Sequence, residues 1–258
     1  MSEKPFSSSA HVYDLLYEAA GKNYELEADE LHALIQSRRP HAASLLDVAC
    51  GTGAHLLHLR RHYDVAGVDF EPAMLEEARK RLPDVPLTEG DMRSFELDRT
   101  FDVVTCLFSA IAYMRSTAEL DQALETLRRH LSPGGILVVD GWVRRQSWRD
   151  PGTVQALSGA KDGLVAARVA RSRRDGNRTT LELHHLVGSN HGVEHLVERH
   201  DMTLFSDDEY RESFERARLT VEVVASPHPD RDRYIGTNPS QRSRDSRDVP
   251  EVPTRNSP

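Results

Sequence analysis

Cysteine is almost missing from this chain: Cys50 and Cys106 are the only two in 258 residues, and both lie inside apolar stretches that read as strands. That usage excludes a disulfide framework and predicts a reduced, cytoplasmic chain. Long hydrophobic runs are absent too. No apolar stretch approaches the ~20 residues needed to span a bilayer, and the polar residues 1–10 lack the apolar centre of a signal peptide. Positive charge is in deficit, with 33 Lys and Arg against 41 Asp and Glu and a formal net charge of −8. Such a field favours neither nucleic acid nor an anionic membrane. The basic, aromatic-studded domain that an RNA enzyme would carry is also absent.

What remains is a globular composition, 38% hydrophobic and 29% charged, long enough for one domain with an elaboration. From residue 44 to 140 short apolar runs alternate with amphipathic segments, the signature of βα units around a parallel sheet. Strands are predicted at 44–50, 65–69, 86–88, 101–108 and 136–140. Pro72 sits where a helix start tolerates it, ahead of Met74, Leu75, Ala78 and Leu82. Ser116 and Glu119 predict a capping box before Leu120, Ala123, Leu124, Leu127 and Leu131, and Pro133-Gly134-Gly135 breaks that helix. The fold class is therefore α/β, a doubly wound, mostly parallel sheet.

The character changes after residue 150. Segments 164–171 and 179–187 flank Asp175-Gly176, a hairpin signal, and 193–205 reads as a further strand. Thr179, Leu181, Leu183 and Val187 alternate with polar residues, which predicts a sheet with one wet face. Residues 151–205 are thus an antiparallel insertion that could cover an active site or form a subunit contact, with a homodimer in view. Ser206 and Glu209 cap another helix, segments 219–225 and 234–236 complete the main sheet within 206–236, and 237–258 predicts a disordered tail. Residues 1–150 are then the ligand-binding core with an N-terminal helical segment.

Three strand ends carry the chemistry. LLDVACGTG at 45–53 brings Asp47 to the end of a buried strand and then turns through Gly51 and Gly53. Those glycines allow close backbone approach and leave helix N–H groups facing a ligand. A dinucleotide fingerprint needs a third glycine where Leu56 stands, so a pyrophosphate is poorly supported. Asp69 ends the second strand, where an acid can accept both ribose hydroxyls of a nucleoside. Gly90-Asp91-Met92 follows the third, with an Asp for an adenine amino group and a Met for its ring. Taken singly, Asp69 could be a helix cap and Asp91 a solvent-facing turn. Together they mark the ligand-binding edge of one parallel sheet.

LDVACGTG, VAGVDF and EGDMRSF resemble the first motif and its successors in class I S-adenosylmethionine (SAM) methyltransferases. YDLLYEAAGKNY at 13–24, ASLLDVACGTGAHLLHL at 43–59, CLFSAIAYM at 106–114 and HDMTLFSDDEY at 200–210 narrow the likeness. They are similar to the N,N-dimethyltransferases of TDP-linked amino sugars, which supply dimethylamino sugars for natural-product glycosylation. The resemblance implies SAM as cofactor, with Tyr13 and Tyr24 over it and Tyr24 near its methionine carboxylate. It gives Asp69 the ribose and Asp91 with Met92 the adenine. Asp47, Ala49, Gly51, Gly53 and Leu107 complete the implied cofactor set. Tyr113 matches an aromatic or histidine position beside the sugar, and Arg231 an arginine that pairs with the nucleotide diphosphate. Three stretches depart from the family: Asp140-Gly141-Trp142-Val143 stands for Glu-Pro-Trp-Trp, 226–231 replaces a Gly-Pro-Ser-Gly-Arg-Gly stretch, and an expected aromatic falls at Pro5 with Phe6 adjacent.

An amine acceptor needs only to be neutral when it attacks, whereas an alcohol calls for a positioned base. None is clearly placed after the fourth strand, which favours nitrogen. Tyr113 is the catalytic candidate, orienting the amine or accepting its proton through water, and wall packing is its plainer role. Trp142 and Trp148 could stack on thymine or simply pack. His184, His185, His191, His195 and His200 fit no compact zinc spacing, and no metal is expected. Other outcomes are a small-molecule O- or N-methyltransferase with a non-sugar acceptor and a non-catalytic SAM-binding protein.

Overall fold

A computed structural model describes residues 6–149, 152–226 and 228–240. From residue 241 onward, the tail for which disorder is predicted lies outside the described residues, while Thr237 belongs to the last strand.

The main sheet has seven strands in the order β10-β11-β5-β4-β1-β2-β3. Its parallel part is β1 (Ser44–Val48), β2 (Asp64–Asp69), β3 (Leu87–Glu89), β4 (Phe101–Cys106) and β5 (Leu131–Val143). The chain steps from β1 outward to β3 and then returns to β4 on the other flank of β1. That reversal opens the crevice at the strand carboxyl ends where α/β sheets bind ligands. β10 (Thr220–Ala225) and β11 (Arg231–Thr237) close the other edge as an antiparallel pair, β11 on β5.

Both faces are covered. Leu45, Val65 and Val103 pack with Leu31 and Ile35 of α2 (Tyr24–Arg38), Leu56 and Leu59 of α3 (Ala54–Leu59) and Leu75 of α4 (Pro72–Arg81). On the opposite face Leu46, Val104 and Leu137 meet Leu120, Leu124 and Leu127 of α5 (Thr117–Arg129) and Phe214 of α6 (Asp207–Arg216). Burial on both sides is why β1 and β4 are almost unbroken apolar runs. Pro72 begins α4 as expected, and Ser206 with Glu209 forms the reciprocal capping box of α6.

Two local expectations are corrected. Ser116 caps α5 by accepting from Glu119 N, but the Glu119 carboxylate turns to Arg115 N and the Arg115 guanidinium, so the box is half made. The charged Arg115 guanidinium draws that carboxylate one residue upstream of the cap, where Arg115 N donates to it as well. Leu131, at helical spacing, instead opens β5, which continues past Pro133-Gly134-Gly135 through an irregularity with Gly134 at φ +72°. The irregular register between Phe101 and Val103 opposite this stretch absorbs the proline.

The antiparallel sheet has four strands, one more than the sequence suggests: β6 (Val154–Lys161), β7 (Leu164–Asp175), β8 (Arg178–Ser189) and β9 (Gly192–Thr203). Its inner face receives α1 (Ala10–Ala19), whose Val12 and Leu16 pack on Ala166 and Val187. Gly159 permits that approach, since a Cβ there would stand 2.8 Å from Ala19 Cβ and 2.9 Å from Leu15 O. The outer face is not simply wet. Val165, Val169, Leu186, Val193 and Val197 are all exposed on it, around His184 and His195. Among the described residues no helix is long and apolar enough to cross a membrane.

Candidate active site

Backbone geometry shapes the site first. After β1 the chain turns with Ala49, Gly51 and Gly53 at φ +60°, +56° and +72°. Gly53 has a second constraint, because a Cβ there would lie 2.8 Å from Leu82 Cδ1. The turn is tied down by Asp69, whose carboxylate accepts from Gly51 N at 2.7 Å and Glu71 N at 2.8 Å. Burial raises the Asp69 pKa against these hydrogen bonds. Beside it Glu71 Oε2 is buried and unpartnered. With the Glu71 oxygen open beside the Asp69 carboxylate, the end of β2 offers an acceptor cluster suited to a ribose diol. Asp47 is buried against Thr105 Oγ1 at 2.7 Å, and burial pushes its pKa up to about 6. Asp91 is turned toward Arg93, which holds its carboxyl below the usual range, and Met92 packs at the edge of the core.

The N-terminal segment roofs this edge. Asp14 of α1 accepts from Tyr24 Oη and Thr52 Oγ1, each at 3.0 Å, and from Arg81 Nη2 at 2.6 Å. One carboxylate thus joins the roof, the glycine turn and α4. Lys22 Nζ pairs with Glu27 at 2.7 Å, and His55 Nε2 lies 2.8 Å from the same carboxylate. Against burial, these two partners hold the Glu27 pKa at about 2.

The acceptor side is built after β4 and β5. Phe108 and Ser109 are consecutive non-glycine residues at φ +53° and +68°. Such strain persists only where the surroundings over-determine it. Here Asp140 accepts from Phe108 N, Ser109 Oγ donates to Gly141 O at 2.6 Å, and Arg233 pairs with Asp140 at 2.7 Å in the core. The strained turn presents the Phe108 ring to Lys22 Nζ at 3.9 Å, to Arg231 at 5.3 Å and to the edge of Tyr17 at 5.2 Å. Arg231 also stacks on Trp142 at 4.7 Å, and Nη1 donates to Ser109 Oγ. Its Nε is buried without a partner, as is that of Arg168, which lies 4.9 Å over Tyr17.

The residues singled out in the sequence therefore fall into groups. Asp47, Ala49, Gly51, Gly53 and Asp69 converge at the ends of β1 and β2, with Tyr24 tied to the turn through Asp14. Leu107 is buried directly after β4. Tyr13 packs at a tilt against Tyr17 with ring centroids 4.7 Å apart and meets Phe6 edge-on at 5.0 Å. Phe6 thus packs against Tyr13 and His200, and Pro5 lies outside the described residues. Tyr113 Oη is 2.7 Å from His200 Nδ1. Trp142 and Arg231 stack on each other, whereas Trp148 Nε1 is buried with no partner. Tyr17, Lys22, Phe108, Arg168 and Glu198 were not picked out by sequence reasoning. Strand parity offered one signal: His184 and His185 must face opposite ways, as must His195 and His200. His185 and His200 point inward, whereas His184 and His195 stack outside.

Comparison with known proteins agrees with this geometry. A methyltransferase domain family profile matches residues 45–135. The chain is 43% identical to a dTDP-3-amino-3,4,6-trideoxy-alpha-D-glucopyranose N,N-dimethyltransferase of Streptomyces venezuelae, over 88% of this chain and 96% of that one. It is 42% identical to a dTDP-3-amino-3,6-dideoxy-alpha-D-glucopyranose N,N-dimethyltransferase of Streptomyces fradiae, over 88% and 89%. Against a dTDP-4-amino-2,3,4,6-tetradeoxy-D-glucose N,N-dimethyltransferase of Saccharopolyspora spinosa the identity is 36%, over 88% and 91%. The crystal structure of Streptomyces venezuelae DesVI superimposes with a TM-score of 0.84 at 42% identity, covering 90% of this chain and 98% of that one. SAM-bound CalS10, an amino pentose methyltransferase from Micromonospora echinaspora, gives 0.79 at 38% identity, covering 88% and 96%.

Proposed function

The chain belongs to the SAM-dependent methyltransferases, within the dTDP-amino-sugar N,N-dimethyltransferases, and on that premise we propose that it dimethylates the 3-amino group of a dTDP-linked deoxy sugar. Its reaction class is amine methylation with SAM in natural-product deoxysugar biosynthesis. Position 3 rests on the relatives, two 3-amino enzymes at 43% and 42% identity against 36% for the 4-amino enzyme.

One observation carries the sugar-nucleotide reading. Lys22, Arg168 and Arg231 are sequestered around Tyr17, Phe108 and Trp142, and both arginines keep an unpartnered buried Nε. Glu27 answers Lys22, whereas neither arginine has a carboxylate ion pair among the described residues; such buried cations are costly, and a diphosphate is the dianion that compensates them. A neutral polyketide or aromatic acceptor leaves that cost in place. Trp142 beside Arg231 then offers a ring face to thymine.

When bound, SAM supplies a methyl group already activated on a sulfonium. Asp69 with Glu71 would hold its ribose, the turn through Ala49, Gly51 and Gly53 with Asp47 and Leu107 its central part, Asp91 and Met92 its adenine, and Tyr13 and Tyr24 its methionine end. Arg231 and Arg168 anchor the nucleotide, the α1 roof excludes water, and Tyr113 orients the amine. Fixing the lone pair in line is the main contribution, with approximation potentially worth ~7–11 kcal/mol.

The apolar outer face of the antiparallel sheet supports a homodimer, because a two-fold contact buries one such face against itself. Two free buried cysteines support the cytoplasm as its place of action.

The test is mass spectrometry of the protein with SAM and a panel of dTDP-3-amino and dTDP-4-amino sugars. Gain of two methyl groups on a 3-amino sugar is expected. Transfer to a non-sugar acceptor alone would move the function to a general small-molecule methyltransferase, and SAM binding without any transfer to a non-catalytic role.

A further inference from the structure

We propose that His200, backed by Glu198, takes through the Tyr113 hydroxyl the proton that the sugar ammonium must lose before each methyl transfer. This rests on the reading that Tyr113 faces the acceptor amine of a dTDP-sugar.

The arrangement is buried, with a hydrogen bond at one end and an ion-pair approach at the other, His200 Nε2 making no hydrogen bond of its own. Tyr113 Oη lies 2.7 Å from His200 Nδ1, and His200 Nε2 lies 3.4 Å from Glu198 Oε2. His200 is 1% exposed and Glu198 4%. The Glu198 carboxylate is held from the other side by Ser9 N at 3.0 Å, Ser9 Oγ at 2.8 Å and Ser8 N at 3.1 Å. Phe6 packs 4.3 Å from the His200 ring, so the imidazole is clamped between the N-terminal segment and the sheet. His185 Nε2 stands 3.8 Å from the same Glu198 oxygen. Burial drives the His185 pKa down to about 4, so it remains neutral and contributes no competing cation.

The other groups facing this relay are Tyr113 itself, Tyr13, Tyr17 and His11 from α1, Asp69 from the end of β2, and Arg168, which pairs across β7 and β8 with His185. Burial raises the Tyr13 and Tyr113 pKa values. They stay protonated and pass protons without storing charge. Although burial opposes it, the nearby His200 ring and the hydrogen bonds from Ser9 keep Glu198 below the usual carboxylate range. The charge that awaits the proton is therefore already formed. A buried histidine between a hydroxyl and a carboxylate is the arrangement used to accept a proton and stabilise the imidazolium.

The step balances as follows. An ammonium N–H bond breaks, its electron pair remains on nitrogen, and the proton joins the Tyr113 oxygen. The Tyr113 hydroxyl proton moves to His200 Nδ1. The products are a neutral amine, a neutral tyrosine and an imidazolium facing the Glu198 carboxylate. Exchange of spent for fresh methyl donor opens the site and returns that proton to water before the second round. His200 is thus a positioning and proton-holding residue acting through Tyr113.

Variants His200→Gln and Glu198→Gln test this, the first removing the group that takes the proton and the second the negative charge that stabilises the imidazolium. At pH 7 kcat/KM should fall about 10–100-fold, then recover toward the native value near pH 9.5, where the amine arrives neutral. Nitrogen NMR of the histidines in the complex with a dTDP-amino sugar, without methyl donor, gives a second readout. His200 should become imidazolium in the native protein and stay neutral in Tyr113→Phe, which also serves if His200→Gln does not fold. Equal loss at every pH, or a His200 ring unmoved by the sugar, overturns the relay while leaving the functional reading intact. A native protein that methylates no dTDP-amino sugar overturns both.

Discussion

Asp69 and Gly51 are joined by a 2.7 Å hydrogen bond from the glycine N–H to the carboxylate, eighteen positions apart along the chain. The acid assigned to the cofactor ribose therefore also holds the glycine turn against β2. Asp69→Ala should remove both functions. Losing hydrogen bonds to a charged acceptor costs about 1.5–3 kcal/mol each, so SAM affinity should fall at least about 10-fold and the melting temperature should drop. Calorimetric titration with SAM beside a thermal melt checks this, and unchanged affinity would sink the ribose assignment.

Arg231 separates anchoring from chemistry. Arg231→Ala removes one guanidinium from the Phe108–Trp142 stack. Affinity for dTDP should weaken by about 2–3 kcal/mol, roughly 30–160-fold, with SAM affinity unchanged. Arg231→Lys should recover only part, because a point charge cannot reproduce the planar fork. Calorimetry with dTDP and SAM separately reads the difference.

Asp47 makes stability depend on pH in a direction opposite to most carboxylates. Burial raises its folded pKa to about 6, above the ~3.9 of an unfolded aspartate. Between these values the native chain binds more protons than the unfolded one, so stability falls as pH rises. Asp47→Asn should flatten that slope and, above pH 6, stabilise the fold by about 2–3 kcal/mol. Urea denaturation at pH 4.5 and pH 8 tests the sign, and a larger gain at the lower pH would contradict it.

Val193 and Val197 probe the subunit contact. Both are exposed on the outer face of the antiparallel sheet, and Val197→Glu should give a monomer in sedimentation velocity if that face is the dimer contact. Thermal stability of the monomer should change little, because the substitution meets solvent. A dimer that persists would place the contact elsewhere.

Much of the fold was legible because a parallel sheet writes itself into the chain. Strands buried on both faces, as β1 and β4 are, must be nearly continuous apolar runs, and Pro72 and the Ser206–Glu209 box mark helix starts for local reasons. The Ser116–Glu119 box and the break at Pro133 were misread because each depends on a competitor in space, the Arg115 guanidinium in one case and the β4 register in the other. β6 escaped notice since its small and polar residues gain strand structure only by pairing with β7.

By itself the sequence determined the order of strand ends, and with it that Asp47, the glycine turn, Asp69 and Asp91 share one edge. That follows because every parallel strand points the same way, so each loop after a strand opens on the same side of the sheet. Only the tertiary structure decided which distant side chains meet there. Lys22, Phe108 and Arg231, or Tyr113 and His200, are brought together by the α1 roof and the antiparallel sheet folding over the crevice. No local period encodes such contacts, since they depend on how two separately formed layers pack, which is settled by burial across long chain separations.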